Sequence, residues 1–241
     1  MRVNLPTPRS ALAIVAHPDD AEFQCGATLA KWAAAGAVIH HLVCTDGSKG
    51  SWDVQEDTAA LVATRQVEQR AAARALGATG EQVFLTNVDG ELDAGPAQVA
   101  AVCRVIRELQ PEIVLGHDPW RRWRLHPDHR AAGFLCTDGV VAARDPHFFP
   151  EQGIAHHRPA AILLFESEEP DHAEDVTGFL DAKCAALLEH HSQFVTTHDI
   201  TDVDDPAQLS RFRRHLDDRL ATFGARVGVR HAEAFKLIDR V

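Results

Sequence analysis

The 241-residue chain contains no tyrosine, so no phenolic hydroxyl of its own can take part in catalysis. No apolar run approaches the ~20 residues that a membrane-spanning helix needs. The first nine residues lack the apolar segment of a secretion signal. The five cysteines form no CxxC pair, which favours reduced thiols in a cytoplasmic protein.

Positive charge is also scarce, because 24 Lys and Arg residues stand against 35 Asp and Glu residues and give a net charge of −11. Nucleic-acid surfaces show basic clusters, and anionic membranes attract basic segments. We therefore expect neither as a partner, whereas a homo-oligomer stays open. No GxGxxG follows the first predicted strand, which removes the main support for a dinucleotide site.

Apolar segments of strand length alternate with segments of helical composition. The predicted strands are 11–16, 38–44, 82–85, 112–116, 160–165 and 233–238. The predicted helices are 21–35, 58–76, 96–109, 130–143, 177–189 and most of 202–224. Repeated βα units of this length predict an α/β fold with a doubly wound, mostly parallel sheet. The length suits a single domain over residues 1–241.

Two short motifs place histidines and carboxylates beyond apolar strands. One is His17-Pro18-Asp19-Asp20, and the other is His126-Pro127-Asp128-His129. Ligands of open α/β sheets sit outside the carboxyl ends of the strands. Two imidazoles, one carboxylate and a water make a catalytic zinc set with an open position. Such a metal lowers the pKa of its bound water and polarises a carbonyl, and Asp19 is then free to act as the general base.

Each motif alone has a structural alternative. The first could be a surface turn, and the second could be a helix N-terminus with solvated histidines, where Asp and Pro are common. Because both motifs close predicted buried strands, a shared metal site is the interpretation that explains them together.

Shorter motifs accompany these two along the chain. They are Ala21-Glu22, Thr45-Asp46-Gly47, Arg65–Glu68, Asp89-Gly90, Lys183, His190-x-Ser192-Gln193 and Ala232–Phe235. With these motifs the sequence resembles the PIG-L/LmbE-like family of zinc-dependent de-N-acetylases. The resemblance implies a Rossmann-like three-layer sandwich with a mostly parallel central sheet. It also implies a cytoplasmic enzyme acting on small N-acetylated amino sugars.

The resemblance further implies roles for individual residues. The metal ligands would be His17, Asp20 and His129. Asp19 would be the general base, and a protonated His126, with Asp128 as its partner, would stabilise the oxyanion and assist departure of the amine. The implied ion is Zn²⁺, although Fe²⁺ and Co²⁺ fit the same ligands.

Substrate contacts are predicted for Arg65, Asp89, Arg124 and Trp120. Arg65 would reach a sugar hydroxyl or phosphate, Asp89 would accept from a sugar hydroxyl, and the other two would form a rim. The alternatives are a solvated arginine, a turn aspartate and a packed loop anchor. Arg124 stands where some relatives carry tyrosine, and Ser48 stands where many carry glutamate, so the substrate's identity stays open.

Three functions are compatible with these residues. The first is a metal-dependent hydrolase that removes an N-acetyl group from an amino sugar or sugar conjugate. The second is an amidase that cleaves a larger acyl group from such a conjugate. The third is a non-catalytic sugar- or nucleotide-binding Rossmann-like module, which would need neither Asp19 nor His126.

Overall fold

Eight strands form one mixed sheet in the computed structural model, which describes all 241 residues. The strands are β1 (Arg2–Val3), β2 (Ser10–Val15), β3 (Val38–Thr45), β4 (Gln82–Asn87), β5 (Ile113–His117), β6 (Ala161–Phe165), β7 (His172–Asp175) and β8 (Ala232–Ile238). The helices are α1 (Asp20–Ala34), α2 (Thr58–Ala75), α3 (Pro96–Leu109), α4 (Pro127–Arg144), α5 (Leu180–Leu188) and α6 (Pro206–Val227). No helix combines the length and hydropathy needed to cross a membrane.

The strand order is β1-β7-β8-β6-β5-β2-β3-β4. Strand β2 pairs in parallel with β3 on one side and with β5 on the other. The chain first builds outward from β2 to β3 and β4, and then returns to add β5 and β6 on the opposite side. This reversal makes a crevice at the carboxyl ends of β2 and β5, where open α/β sheets bind ligands.

Both faces of the sheet are covered by helices. Leu12 and Ile14 of β2 pack in one core with residues of α3 and α4. Ala11, Ala13 and Val15 of the same strand pack in a second core with residues of α1, α2 and α5. Burial on both faces explains why β2 is a continuous apolar run rather than an alternating one. The predicted three-layer α/β sandwich is confirmed.

Helix α1 is interrupted at Cys25, whose φ of −139° is not helical. The carboxylate of Glu233, on β8, accepts hydrogen bonds from the backbone N–H groups of Ala27 (3.2 Å) and Thr28 (2.8 Å) just beyond the interruption. The same carboxylate lies 2.6 Å from Nζ of Lys183 on α5. A distant strand therefore caps the second segment of the helix that follows the His17 motif.

The six predicted strands are present with ends shifted by one or two residues, whereas the short strands β1 and β7 were not predicted. Helix α4 begins at Pro127, three residues before the predicted start at 130. Proline is favoured in the first helical turn, where its missing N–H costs nothing. The earlier start places Asp128 and His129 inside the first turn of α4.

Candidate metal centre and active site

The first motif forms a tight corner between β2 and α1. The carboxylate of Asp20 accepts a 2.8 Å hydrogen bond from the backbone N–H of His17, which closes the corner. Asp19 has a φ of +91°, in the left-handed region that residues with a side chain rarely adopt. The side chains of His17, Asp19 and Asp20 all line one cavity of about 480 Å³.

Three potential ligand residues meet above this corner. Nδ1 of His17 lies 3.1 Å from Nε2 of His129 and 3.5 Å from Oδ2 of Asp20. Nε2 of His129 lies 3.3 Å from Oδ1 of Asp20. Tetrahedral zinc with bonds of about 2.0–2.1 Å has ligand atoms about 3.3 Å apart. The donor set therefore fits a divalent ion, and the structure brings together the three residues that the sequence predicted as ligands.

The other ring nitrogen of His17 faces two carboxylates. Nε2 lies 3.1 Å from Oδ1 of Asp89 and 3.2 Å from Oδ2 of Asp128. A metal-binding histidine typically donates its second N–H to a carboxylate, which leaves the first nitrogen free for the ion. Burial opposes protonation of His17, but Asp128, Asp20 and Asp89 outweigh it and hold its pKa well above the usual value. The surplus negative charge suits a cation.

These contacts give two aspartates partners that the sequence did not predict. Asp128 was expected to pair with His126, but its carboxylate bonds to His17 and accepts from the N–H groups of Gly90 (2.6 Å) and Leu92 (3.2 Å). Asp89 was expected to receive a sugar hydroxyl. It lines the cavity, yet its hydrogen bond to His17 holds the pKa of its buried carboxyl down at about 2 despite the desolvation that raises it.

His117 and Glu166 belong to the site although the sequence analysis assigned them no role. Nε2 of His117 lies 3.4 Å from Oδ2 of Asp20, and Nδ1 lies 3.2 Å from Oε2 of Glu166. The His117 ring also stacks on His129 with centroids 4.5 Å apart. Both residues end or follow buried strands, β5 and β6, so the same signal that revealed His17 could have revealed them.

Asp19 is buried beside a guanidinium. Burial raises the pKa of its carboxyl to about 6, while the charge of Arg65, with NH2 3.6 Å away, works in the opposite direction. Arg65 is only 3% exposed and donates to the carbonyls of Gly47 (2.9 Å) and Pro18 (2.8 Å). These contacts hold the two loops around Asp19, and because Arg65 also lines the cavity, its predicted sugar contact stays a prediction.

Comparison with known proteins identifies the family. The model of the PIG-L family, described as GlcNAc-PI de-N-acetylase, matches residues 12–140. The chain belongs to the PIG-L family. The matched segment contains both histidine motifs together with Arg65, Asp89 and His117, whereas Glu166 lies beyond it.

Curated members of the PIG-L family align over most of the chain. A diacetylchitobiose deacetylase from Thermococcus kodakarensis is 30% identical over 97% of this chain and 84% of its own length. A 1D-myo-inositol 2-acetamido-2-deoxy-alpha-D-glucopyranoside deacetylase from Rhodococcus erythropolis is 29% identical over 76% of this chain and 80% of its own.

Solved structures agree with this assignment. An N,N'-diacetylchitobiose deacetylase from Pyrococcus horikoshii, complexed with an inhibitor, superposes with a TM-score of 0.85 at 27% identity, covering 96% of this chain and 84% of that one. GalB, a 4-carboxy-2-hydroxymuconate hydratase from Pseudomonas putida KT2440, gives a TM-score of 0.76 at 23% identity, covering 97% of this chain and 98% of its own. At this identity the likeness to GalB shows the shared fold alone.

The cavity rim of this PIG-L family member differs from the predicted one. Trp120 does not line the cavity, because its ring packs edge-on against Phe134 with centroids 6.0 Å apart. Trp52, which the sequence analysis did not single out, lines the cavity and is 77% exposed. Arg124 also lines it, with NH1 3.0 Å from Oε1 of Glu166 and its other terminal nitrogen against Nδ1 of His129.

Proposed function

We propose that this protein is a divalent-metal-dependent N-deacetylase that acts on a small N-acetylated amino sugar or sugar conjugate. The observation that carries the proposal is the meeting of three potential ligand residues, His17, Asp20 and His129, beside the carboxylate of Asp19. Each pair of them has ligand atoms 3.1–3.5 Å apart. The deacetylase relatives support the substrate class, and a cavity of about 480 Å³ has the size of a small-molecule site.

His17, Asp20 and His129 would hold the ion, and Asp89 and Asp128 would orient the first of these ligands. When bound, the ion supplies a Lewis acid that polarises the amide carbonyl and lowers the pKa of water. A set of two imidazoles and one carboxylate suits Zn²⁺, and Fe²⁺ or Co²⁺ fits the same atoms.

Asp19 has the properties of the general base. With a pKa raised to about 6, its carboxylate is ionised at neutral pH and remains more basic than an ordinary aspartate. It can take the proton of the attacking water and later return it to the departing amine nitrogen. Oδ2 of Asp19 is buried and makes no hydrogen bond, and the charged group beside it is NH2 of Arg65 at 3.6 Å.

His126 lies at the exposed mouth of the cavity as the residue before α4. Partial burial and the neighbouring charge of His17 lower the pKa of its imidazole. Since this opposes the protonated form expected from the sequence, we propose that His126 acts as a neutral ring. Its N–H would donate to the oxyanion that develops on the amide carbonyl.

The five cysteines are all free and buried. Their unpaired state supports the proposed location in the cytoplasm, where thiols are kept reduced.

The test is an assay of the purified protein on a panel of N-acetylglucosaminides and chitobiose derivatives. The protein is stripped with a chelator and reloaded separately with Zn²⁺, Fe²⁺ or Co²⁺. Free amine, released acetate and metal content are measured on the same samples. We expect no turnover by the stripped protein, and equal amounts of amine and acetate after reloading with one divalent ion.

Two results would contradict the proposal. Release of a larger acid from acyl-amino-sugar conjugates, with no acetate from any N-acetyl compound, would identify an amidase of different specificity. Metal loading and sugar binding without turnover on the whole panel would identify a binding module instead.

A further inference from the structure

The backbone of Asp19 is held by a side chain from another helix. Gln69, on α2, is fully buried, and its Oε1 accepts a 3.0 Å hydrogen bond from the backbone N–H of Asp19. The other end of the same amide, Nε2, donates a 2.8 Å hydrogen bond to Oε1 of Glu22 on α1. Gln69 thus connects the residue before α1 to a residue within its first turn.

The orientation of this amide is fixed by chemistry. A backbone N–H can only donate, so the oxygen of Gln69 must face Asp19, and the NH₂ group must then face Glu22. The carboxylate of Glu22 is itself enclosed, with Oε2 3.6 Å from Nε2 of His190 and Oε1 3.8 Å from Nε2 of His41. These groups are fully buried, so no solvent competes for the amide.

The held residue is the one whose backbone conformation is unusual. Asp19 has a φ of +91° and a ψ of −25°. Such conformations persist in residues with a side chain only when the surroundings impose them. The carbonyl of Pro18 accepts from Arg65 at 2.8 Å, and the N–H of His17 donates to Asp20 at 2.8 Å. The Gln69 contact to the Asp19 N–H completes the restraint of three successive residues.

We propose that Gln69 is a positioning residue for Asp19, resting on the proposed function of Asp19 as the base. By accepting from the Asp19 N–H, it maintains the left-handed turn that directs the carboxylate into the cavity. The ligands His17 and Asp20 have their own contacts and do not depend on this amide. Gln69 should therefore control the rate of the chemical step more than it controls metal or substrate binding.

The test compares Gln69→Met with Gln66→Met, the same change at a nearby position of α2 whose side chain makes no contact with the site. Methionine keeps the length and most of the volume of glutamine but replaces the amide oxygen that accepts from the Asp19 N–H by a group whose sulfur accepts only weakly. A displaced base is expected to lower kcat about 10- to 100-fold. KM should stay within about 2-fold of the unmodified protein, because ground-state binding is not changed. Metal content and the melting temperature are measured on both variants.

A kcat of Gln69→Met equal to that of Gln66→Met would overturn the proposal, and so would a raised KM at unchanged kcat. Should Gln69→Met fail to fold, the proposal is tested with a double variant, Glu22→Gln with Gln69→Glu, which exchanges the two side chains. In this double variant, the carboxylate at position 69 still accepts from the backbone N–H of Asp19 and from the side-chain amide at position 22. A kcat within about 5-fold of the unmodified protein supports the proposal. A folded, metal-loaded exchange variant that is more than about 10-fold slower overturns it.

The proposed function is tested separately by turnover of the unmodified protein. If that protein hydrolyses no N-acetyl substrate, the role of Gln69 is decided by the crystal structure of Gln69→Met. Movement of Asp19 out of the left-handed region supports the positioning role, and an unchanged φ near +91° overturns it.

Discussion

Nε2 of His117 lies 3.4 Å from Oδ2 of Asp20, where the adjacent parallel strands β5 and β2 end. The contact orients a carboxylate that we assign to the metal, and Glu166 in turn holds His117. Residues in such supporting positions typically change metal affinity about 10- to 100-fold when they are replaced. We therefore expect His117→Phe to weaken metal binding by this factor while the ring still stacks on His129.

The measurement is a competition titration with a chromophoric chelator. His157→Phe is the control, since His157 donates to the carbonyl of Pro111 at 2.7 Å, away from the site. Equal affinities of the two variants would show that Asp20 needs no support from His117.

Asp19 and Asp20 are adjacent but should not be interchangeable. Asp19→Asn keeps the side-chain volume and all three ligands, so metal content should be normal while kcat falls at least about 100-fold, as for loss of a general base. Asp20→Asn keeps an oxygen that can accept from the His17 N–H but replaces a charged ligand by a neutral amide, so this variant should lose the metal. Metal content by elemental analysis and kcat are measured on the same samples of both variants. Equal metal content and equal kcat in the two variants would refute the assignment of Asp19 as base and Asp20 as ligand.

Replacement of Trp52 and replacement of Trp120 should have different effects on KM. Trp52 lines the cavity and is largely exposed, so its ring is available to stack on a sugar. An aromatic contact of about 0.5–1.5 kcal/mol corresponds to a rise in KM of about 2- to 10-fold for Trp52→Ala, with little change in kcat. Trp120→Ala should leave KM unchanged, because that ring packs on Phe134. A raised KM for Trp120→Ala together with an unchanged KM for Trp52→Ala would instead support the substrate contact of Trp120 that the sequence predicted.

The pH dependence of stability should contain a contribution from Glu174. This fully buried carboxylate accepts from the N–H of Leu5 (2.8 Å), contacts Nε2 of His172 (2.8 Å) and pairs with Nζ of Lys31 (2.7 Å). Burial alone would raise its pKa, but these partners outweigh burial and lower it from 4.5. The stabilisation is therefore complete above the unfolded pKa and disappears as the pH falls through the lower folded pKa.

Glu174→Gln should reduce the free energy of unfolding at pH 7 by about 2–4 kcal/mol, because Lys31 and His172 lose a charged partner. The variant should also lose part of the acid dependence below pH 4.5. Denaturant unfolding at several pH values measures both effects, with the exposed Glu169→Gln as the control. Parallel pH profiles for the two variants would contradict this role.

Sequence patterns indicated the residues that follow the buried strand β2, whereas His117 at the end of β5 and Glu166 after β6 were missed. Continuous apolar runs predicted β2 and β5, and parallel pairing guarantees that their carboxyl ends meet at one edge of the sheet. His17 and Asp20 were predicted in this way, and His129 was predicted from the second histidine motif and the resemblance to the PIG-L/LmbE-like family. The partners of His17 could not be predicted, because Asp89 and Asp128 reach it only through the observed strand order and the early start of α4.

Other features were hidden because polar residues occupy buried positions. Strand β7 carries His172 and Glu174, so it lacks the apolar pattern by which strands are recognised. Gln69 sits in a helix rich in Ala and Arg, where a glutamine normally faces solvent. Its role depends on the left-handed conformation of Asp19, which no local pattern in the sequence specifies.

Strand β8 follows the other seven strands of the sheet in the sequence, yet it occupies an interior position between β6 and β7. During translation, the outer edge of β6 stays open until this segment leaves the ribosome. Glu233 arrives with β8, so the cap on the second segment of α1 forms only then. A nascent chain therefore holds both histidine motifs long before the helix that carries Asp20 is complete. Such a protein should acquire activity in one late step, and chains arrested before β8 should expose an unpaired strand edge that invites aggregation.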